Sequence, residues 1–202
     1  MKNEFNKHLK IFKSLNVYFW IGGAAIYDFF SANKPNDIDV FFKSEKDVQK
    51  AINLLKRKGF KILFKRNVGA VLESRDGIKY DLLNVCKSPE HLFNNFNDFT
   101  ICCAAIDSNG IFWHHEKYFD HCGKKELHYI ENRVNTDAVK QKRLKKFINR
   151  GFSIDSNNLL KWLEKMDYDK KTLKKRPQEI KKVFHKKLEK INFKTIKTKL
   201  KD

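Results

Sequence analysis

Asp37 and Asp39 form a pair of carboxylates on either side of Ile38 in the segment DIDVFF. This segment predicts a strand, whose twofold alternation would place both carboxylates on one face and Ile38 in the core. Two like charges so close repel each other unless cations neutralise them. Oxygen ligands of this kind suit Mg²⁺, so the pair indicates a metal site, although an isolated pair of this spacing is common in other contexts.

A third aspartate, Asp81, interrupts the otherwise apolar segment IKYDLLNV. A buried carboxylate without a partner costs free energy, so we expect Asp81 on a strand beside Asp37 and Asp39, where it completes the metal site. Two Mg²⁺ ions about 3.5 to 4 Å apart would then stabilise the attacking and leaving oxygens of a nucleotidyl transfer, while Asp81 helps deprotonate the attacking hydroxyl. The alternative is an aspartate at a strand end that faces solvent.

Gly22 and Gly23 end the apolar run VYFWIGG, which predicts a strand, and the helix-compatible segment AAIYDFF follows them. Glycine allows the backbone to approach a triphosphate closely, and the start of the next helix would offer N–H donors to phosphate oxygens. A glycine pair alone is more often a simple turn.

The surrounding pattern predicts an α+β fold: a small mixed β-sheet with flanking helices over residues 1–136, then a short basic helical domain over 137–202. Helical spacing marks residues 3–15 and 45–58, the latter closed by Gly59. Further strands are expected in FKILFKR, GAVLES and IKYDLLNV, with a hairpin turn at RDG. Later helices are expected in QKRLKKFINRGF, NNLLKWLEKM and EIKKVFHKKLEKI.

Positive charge is concentrated near the end of the chain. The formal net charge is +19, and from Lys140 onward 22 basic residues face 7 acidic ones, which places +15 of it there. Such a segment attracts nucleic acid first and an anionic membrane second. A solvated lysine-rich helix surface is the alternative.

The four cysteines have no CxxC spacing, which favours reduced thiols and a cytoplasmic protein. The N-terminal segment MKNEFNKHLKIFKSLNVYFWIGG has charges scattered through it, so we expect neither a signal peptide nor a membrane span there. His114, His115, His121 and Cys122 lack a second ligand pair at the spacing of a zinc finger, so we expect no zinc. We expect Trp113, Tyr118 and Phe119 to pack in the core rather than to stack on bases.

The segment IGGAAIYDFFSANKPNDIDVFF resembles the head-domain signature of the polymerase-β superfamily, specifically of the bacterial tRNA nucleotidyltransferase (CCA-adding) and poly(A) polymerase family. NDFTICCAAID is similar to that family's RRDFTINALAYD, and DAVKQKRLKKFINRGF is similar to its DPLRILRAIRFAARLGF. The likeness spans about residues 17–155 and keeps the family's order.

The resemblance implies a Mg²⁺-dependent nucleotidyltransferase that uses two ions and transfers NMP from ATP or CTP to an RNA 3′ hydroxyl, with tRNA as the expected partner of the basic region. It implies that Asp37, Asp39 and Asp81 are catalytic metal ligands. It also implies a nucleotide-binding set: Gly22, Gly23, Asp98, Thr100, Lys140, Arg143 and Lys146.

Some of this set also has a local interpretation. The spacing of Lys140, Arg143 and Lys146 puts them on one helix face, where they could meet a triphosphate together or form a solvated basic surface. Asp98 and Thr100 could instead cap a helix.

The sequence departs from the family at several positions. Tyr27-Asp28 stands in place of an Arg-Asp pair, Asn97 replaces an Arg, Cys102 replaces an Asn, and no EDxxR element is found. Two other functions therefore stay open: a toxin-like or antiphage nucleotidyltransferase that modifies tRNA or a protein side chain, and an inactive RNA-binding module. Retention of all three aspartates argues against the second.

Overall fold

A computed structural model describes residues 2–130 and 137–164 of the chain. The strands are β1 Phe19–Gly22, β2 Asp37–Phe42, β3 Lys61–Arg66, β4 Gly69–Glu73, β5 Lys79–Leu83, β6 Ala104–Asp107 and β7 Phe112–His114. The α-helices are α1 Lys2–Lys13, α2 Ala24–Phe30, α3 Glu45–Arg57, α4 Pro89–Phe96, α5 Tyr118–Lys124, α6 Asp137–Ile148 and α7 Ser156–Glu164, with a 3₁₀ turn at Thr100–Cys102. The expected helix over 179–191 lies outside the described residues.

The strands form one sheet in the order β3-β4-β5-β2-β1-β6-β7. β2 and β5 are parallel, and the other described neighbours are antiparallel, so the sheet is mixed. This confirms the predicted α+β class. The short strands β6 and β7, which the pattern did not predict, extend the sheet beyond β1.

Side-chain alternation gives the sheet two different faces. On one face, Ile38 is fully buried in a core cluster with residues of α1 and α3, as predicted. On the other face, Phe41 packs with Trp20 beneath Leu92 of α4. Asp37 and Asp39 precede Phe41 on this second face.

α6 and α7 pack against the region of α2 and the 3₁₀ turn. Leu144, Phe147 and Trp162 share a buried apolar cluster with Tyr27 and Phe99. This contact brings the basic side chains of α6 close to the face that carries Asp37 and Asp39. No helix in the described ranges is long and apolar enough to cross a membrane.

Candidate active site

The register of β2 and β5 sets the positions of the acids. Asp39 lies directly opposite Asp81 across the parallel pair, and Asp37 lies opposite Lys79. Register partners on adjacent strands share a face of the sheet. The structure therefore places all three aspartates on one face of two neighbouring strands, and Asp81 lies on the strand beside Asp37 and Asp39, as predicted.

The three carboxylates interact electrostatically. Burial, together with the charges of Asp37 and Asp81, raises the pKa of Asp39 to about 7. Burial raises the pKa of Asp81 and the charge of Asp37 adds to this, although Arg66 acts in the opposite direction. A cation bound beside Asp39 would offset these effects and favour its ionised form.

The glycine turn lies against Asp39. Gly22 is the register partner of Asp39 across β1 and β2. Gly23 has a φ of 80°, and a Cβ built there would lie 3.3 Å from Oδ2 of Asp39. The Gly23 N–H is used within the fold, because it donates to the carbonyl of Ala104 at 3.1 Å. Gly23 therefore keeps space free beside the carboxylate, whereas the space at Gly22 is filled by Leu92, whose Cδ2 would lie 2.7 Å from a Cβ there.

Two of the three predicted cations of α6 lie near the acids. Nζ of Lys146 is 3.9 Å from Oδ1 of Asp37. Arg143 donates to the Phe96 carbonyl at 2.8 Å and to Oδ2 of Asp98 at 2.9 Å. The charges of Arg143 and Lys146 both oppose the rise in the pKa of Asp39. Lys140 is buried.

Asp98 and Thr100 are both buried. Asp98 holds Arg143, as described above, and Oγ1 of Thr100 hydrogen-bonds Nδ1 of His121 at 2.7 Å. Neither caps the 3₁₀ turn Thr100–Cys102, because Phe99 occupies its N-cap position and no side chain caps that turn. Asp98 thus acts on the acid cluster through Arg143.

Two arginines near the site are not indicated by any pattern in the sequence. Nη2 of Arg66 lies 2.5 Å from both carboxylate oxygens of Asp81. Nη1 of Arg150 lies 2.8 Å from Oδ1 of Asp28, which is almost fully buried. Each aspartate stands in an apolar segment, which signals that it needs a partner, but the partners are distant in sequence and carry no local signal.

The acid cluster fits divalent cations by its chemistry. It offers hard oxygen ligands and excess negative charge, which is what Mg²⁺ requires. In the described part of the chain, however, no three His, Cys, Asp or Glu side chains are already arranged around a common metal position. Asp81 is instead paired with Arg66.

Solved structures with this fold include the Thermotoga maritima CCA-adding enzyme complexed with tRNA, with a TM-score of 0.55 and 20% identity over 74% of this chain and 40% of that chain. A CCA-adding enzyme with CTP gives a TM-score of 0.57 and 20% identity over 75% of this chain and 41% of that one. A tRNA nucleotidyltransferase complexed with a primer tRNA and an incoming ATP analog gives a TM-score of 0.59 and 16% identity over 76% of this chain and 48% of that one. The likeness confirms the fold of a nucleotidyltransferase head, and the chain spans less than half the length of these proteins.

A family described as Gabija anti-defense 2 family protein matches residues 1–125, which is more than half of the chain. The matched range contains the three aspartates and the glycine turn, and it ends before α6. No curated protein matches the chain.

Proposed function

The chain belongs to the Gabija anti-defense 2 family, and from this premise we propose that it is a Mg²⁺-dependent nucleotidyltransferase. It would transfer a nucleoside monophosphate from an NTP to a hydroxyl group of an acceptor and release pyrophosphate. The observation that carries the proposal is the position of Asp39, which lies opposite Asp81 and beside the open turn at Gly23.

Each group near the acids has a role in this proposal. Asp37, Asp39 and Asp81 would hold two Mg²⁺ ions, which when bound supply charge stabilisation for the attacking and leaving oxygens. Asp81 would also orient the attacking hydroxyl and accept its proton. Gly23 would leave room for the triphosphate beside Asp39, and Gly22 would support this turn by its close packing against Leu92.

The buried and basic residues would bind the nucleotide. Lys146 and Arg143 lie close enough to the acid pair to act on its charge, and we assign them to the triphosphate of ATP or CTP. Asp98 would fix the guanidinium of Arg143 through their 2.9 Å contact. Thr100 and Lys140, which are both buried, would support the pocket from within.

We assign the acceptor as an RNA 3′ hydroxyl and favour tRNA as that RNA. The support is the concentration of positive charge from Lys140 onward, together with the tRNA bound to similar solved structures. Residues 1–136 would form the catalytic head and residues 137–202 a basic RNA-binding region of a cytoplasmic protein. Three retained aspartates disfavour an inactive RNA-binding module.

Family membership favours a second candidate acceptor. The family is described as acting against Gabija defense, so the nucleotidyl group would be transferred to a component of that system, either RNA or a protein side chain. The chemistry at the aspartates is the same in both cases, and the acceptor alone differs.

Labelling with each NTP separates these candidates. Purified protein is incubated with Mg²⁺, one labelled NTP, and either total tRNA or the components of the Gabija system. Labelled RNA supports the first acceptor, and a labelled Gabija component supports the second. The Asp37→Ala plus Asp39→Ala variant should transfer no label, whereas Asp120→Ala, which removes an exposed aspartate of α5 paired with Lys124, should transfer as the parent does. If the double variant incorporates as much labelled nucleotide as the parent, the proposed mechanism is wrong.

A further inference from the structure

A row of register partners leads from the candidate active site to the edge of the sheet. Asp39 lies opposite Asp81, Asp81 opposite Val71, and Val71 opposite Phe64 of the outermost strand β3. These four side chains share one face of the sheet. Adjacent strands are about 4.8 Å apart, so the Cα of Phe64 lies about 10 Å from that of Asp81.

The end of this row is an exposed aromatic ring. Phe64 is 52% exposed, although a large apolar side chain normally lowers the free energy of the fold by burial. β3 is an edge strand with little burial along its length. The ring is therefore free to contact another molecule on the same face as the acids.

Arg66 connects this ring with the acid cluster. Its guanidinium carbon lies 5.2 Å from the centroid of the Phe64 ring, and its Nη2 contacts Asp81. An aromatic ring and a cation thus lie side by side next to the proposed metal ligands. Proteins that bind single strands combine these groups, because rings stack on bases while cations contact phosphates.

We propose that Phe64 and Arg66 form a docking surface for a single-stranded nucleic acid whose end is the acceptor. A base stacks on Phe64, and Arg66 leaves Asp81 to contact the backbone phosphate. The distance from Asp81 to Phe64 equals about three stacked nucleotides at about 3.4 Å each. This inference rests on the proposed nucleotidyl transfer and identifies where the acceptor strand lies.

The same strand carries features that oppose a protein occupant. Lys61 and Lys65 are exposed along β3, and a β-bulge interrupts its pairing between Ile62 and Phe64. Lysines and bulges on an edge strand disfavour the addition of a further strand. The same lysines, on a chain with a formal net charge of +19, attract a polyanion.

Binding of a labelled single-stranded RNA oligonucleotide, measured by fluorescence anisotropy without Mg²⁺ or NTP, tests the proposal. Phe64→Ala should weaken binding about ten-fold, since loss of one stacked base costs roughly this factor or more. Phe64→Trp should bind as the parent does, and Phe64→Leu should be as weak as Phe64→Ala. The matched control is Phe119→Ala, because Phe119 is also 52% exposed but packs on Phe112 of β7 at the opposite edge. It should bind as the parent does.

Four results would overturn the inference: no RNA binding by the parent, Phe64→Ala within two-fold of the parent, an equal loss in Phe119→Ala, or parent-like binding by Phe64→Leu. The last would indicate apolar packing and hence a protein partner. The readout is independent of transfer. If the protein transfers label but its RNA binding does not depend on Phe64, only the docking surface is rejected. If RNA binding depends on Phe64 but no label is transferred, only the proposed enzymatic activity is rejected.

Discussion

Arg66 and Asp81 are joined across strand β4, with Nη2 of Arg66 2.5 Å from both carboxylate oxygens. A cation of the chain therefore neutralises the aspartate that we assign to metal binding. Both side chains retain some exposure, 38% for Arg66 and 20% for Asp81, so the pair is open to exchange with ions from solvent.

Arg66→Ala should bind divalent cations more tightly than the parent, because the metal no longer competes with the guanidinium for Asp81. Partly exposed ion pairs contribute about 0.2 to 1 kcal/mol, which corresponds to a gain of up to about five-fold in affinity. Titration with Mn²⁺ followed by electron paramagnetic resonance measures the free ion directly. Lys65→Ala, which removes a cation from the same strand, should change the affinity little. An unchanged or weaker affinity in Arg66→Ala would contradict competition at Asp81.

Cation binding should also depend on pH through Asp39. Burial raises its pKa to about 7 from the ordinary aspartate value of 3.8, and the neighbouring aspartates contribute. Because the folded state disfavours the ionised form of Asp39, the protonated carboxyl stabilises the fold. This contribution to the free energy of unfolding is complete below about pH 4 and is lost as the pH rises to about 7. A metal ion requires the ionised form, so affinity should increase with pH up to about 7 and then level off.

Calorimetric titration in two buffers of different ionisation enthalpy reports the protons released on binding. At pH 6 we expect metal binding to release about one proton more than at pH 8, because Asp39 is largely protonated at pH 6 in the free protein. Asp39→Asn should remove this release. The same release at both pH values would show that Asp39 is already ionised in the free protein.

Sequence patterns were sufficient for the acid cluster because each aspartate carries a local signal, either its place in the alternation of a strand or its position in an apolar segment. Alternation in β2 buries Ile38 and leaves Asp37 and Asp39 on the other face. An aspartate in an apolar strand needs a partner, which led to the prediction that Asp81 lies beside them, and the register confirms this position.

The remaining features depend on contacts between distant parts of the chain. The strand Phe112–His114 has only three residues, too few to establish a period. The pairs of Arg66 with Asp81 and of Arg150 with Asp28 arise only when the sheet order and the docking of α6 are known. A solvent-facing and a buried arginine have the same appearance in sequence.

Gly23→Ala should impair transfer more than it impairs folding. Gly23 has a φ of 80° and a ψ of −156°, a combination essentially restricted to glycine, so a side chain there costs about 1 to 3 kcal/mol in the free energy of unfolding. The added Cβ would also lie 3.3 Å from Oδ2 of Asp39 and displace it from its position. Because small misplacements of catalytic groups are costly, transfer should fall at least about ten-fold.

Gly77→Ala is the matched control, because Gly77 has a φ of 75° but a Cβ there would meet nothing within 4 Å. Both variants should lose stability in urea unfolding, and Gly77→Ala should keep its transfer rate per folded molecule. If the two variants lose activity equally, the contact with Asp39 is irrelevant and strain alone explains the effect.

Arg150→Ala should destabilise the fold in a pH-dependent way. Asp28 is 2% exposed and its carboxylate is held by Arg150 at 2.8 Å. Burial raises the pKa of Asp28, and the charge of Arg150 opposes this rise. Without the arginine, the buried carboxylate loses its nearest cation, which should cost about 2 to 3 kcal/mol at neutral pH.

The sign of the pH dependence follows from that raised pKa. Removal of Arg150 raises the pKa of Asp28 in the folded protein further. The loss in the free energy of unfolding, relative to the parent, is therefore complete above this higher pKa. It becomes smaller as the pH falls and the carboxyl becomes neutral. Urea unfolding at pH 7.5 and at pH 4 should therefore show a large and a small deficit, respectively. Lys124→Ala, which breaks an ion pair exposed on both sides, should leave the free energy of unfolding nearly unchanged at either pH. A deficit in Arg150→Ala that is equal at both pH values would mean that Arg150 stabilises α6 by packing, and that the charge of Asp28 is neutralised by other groups.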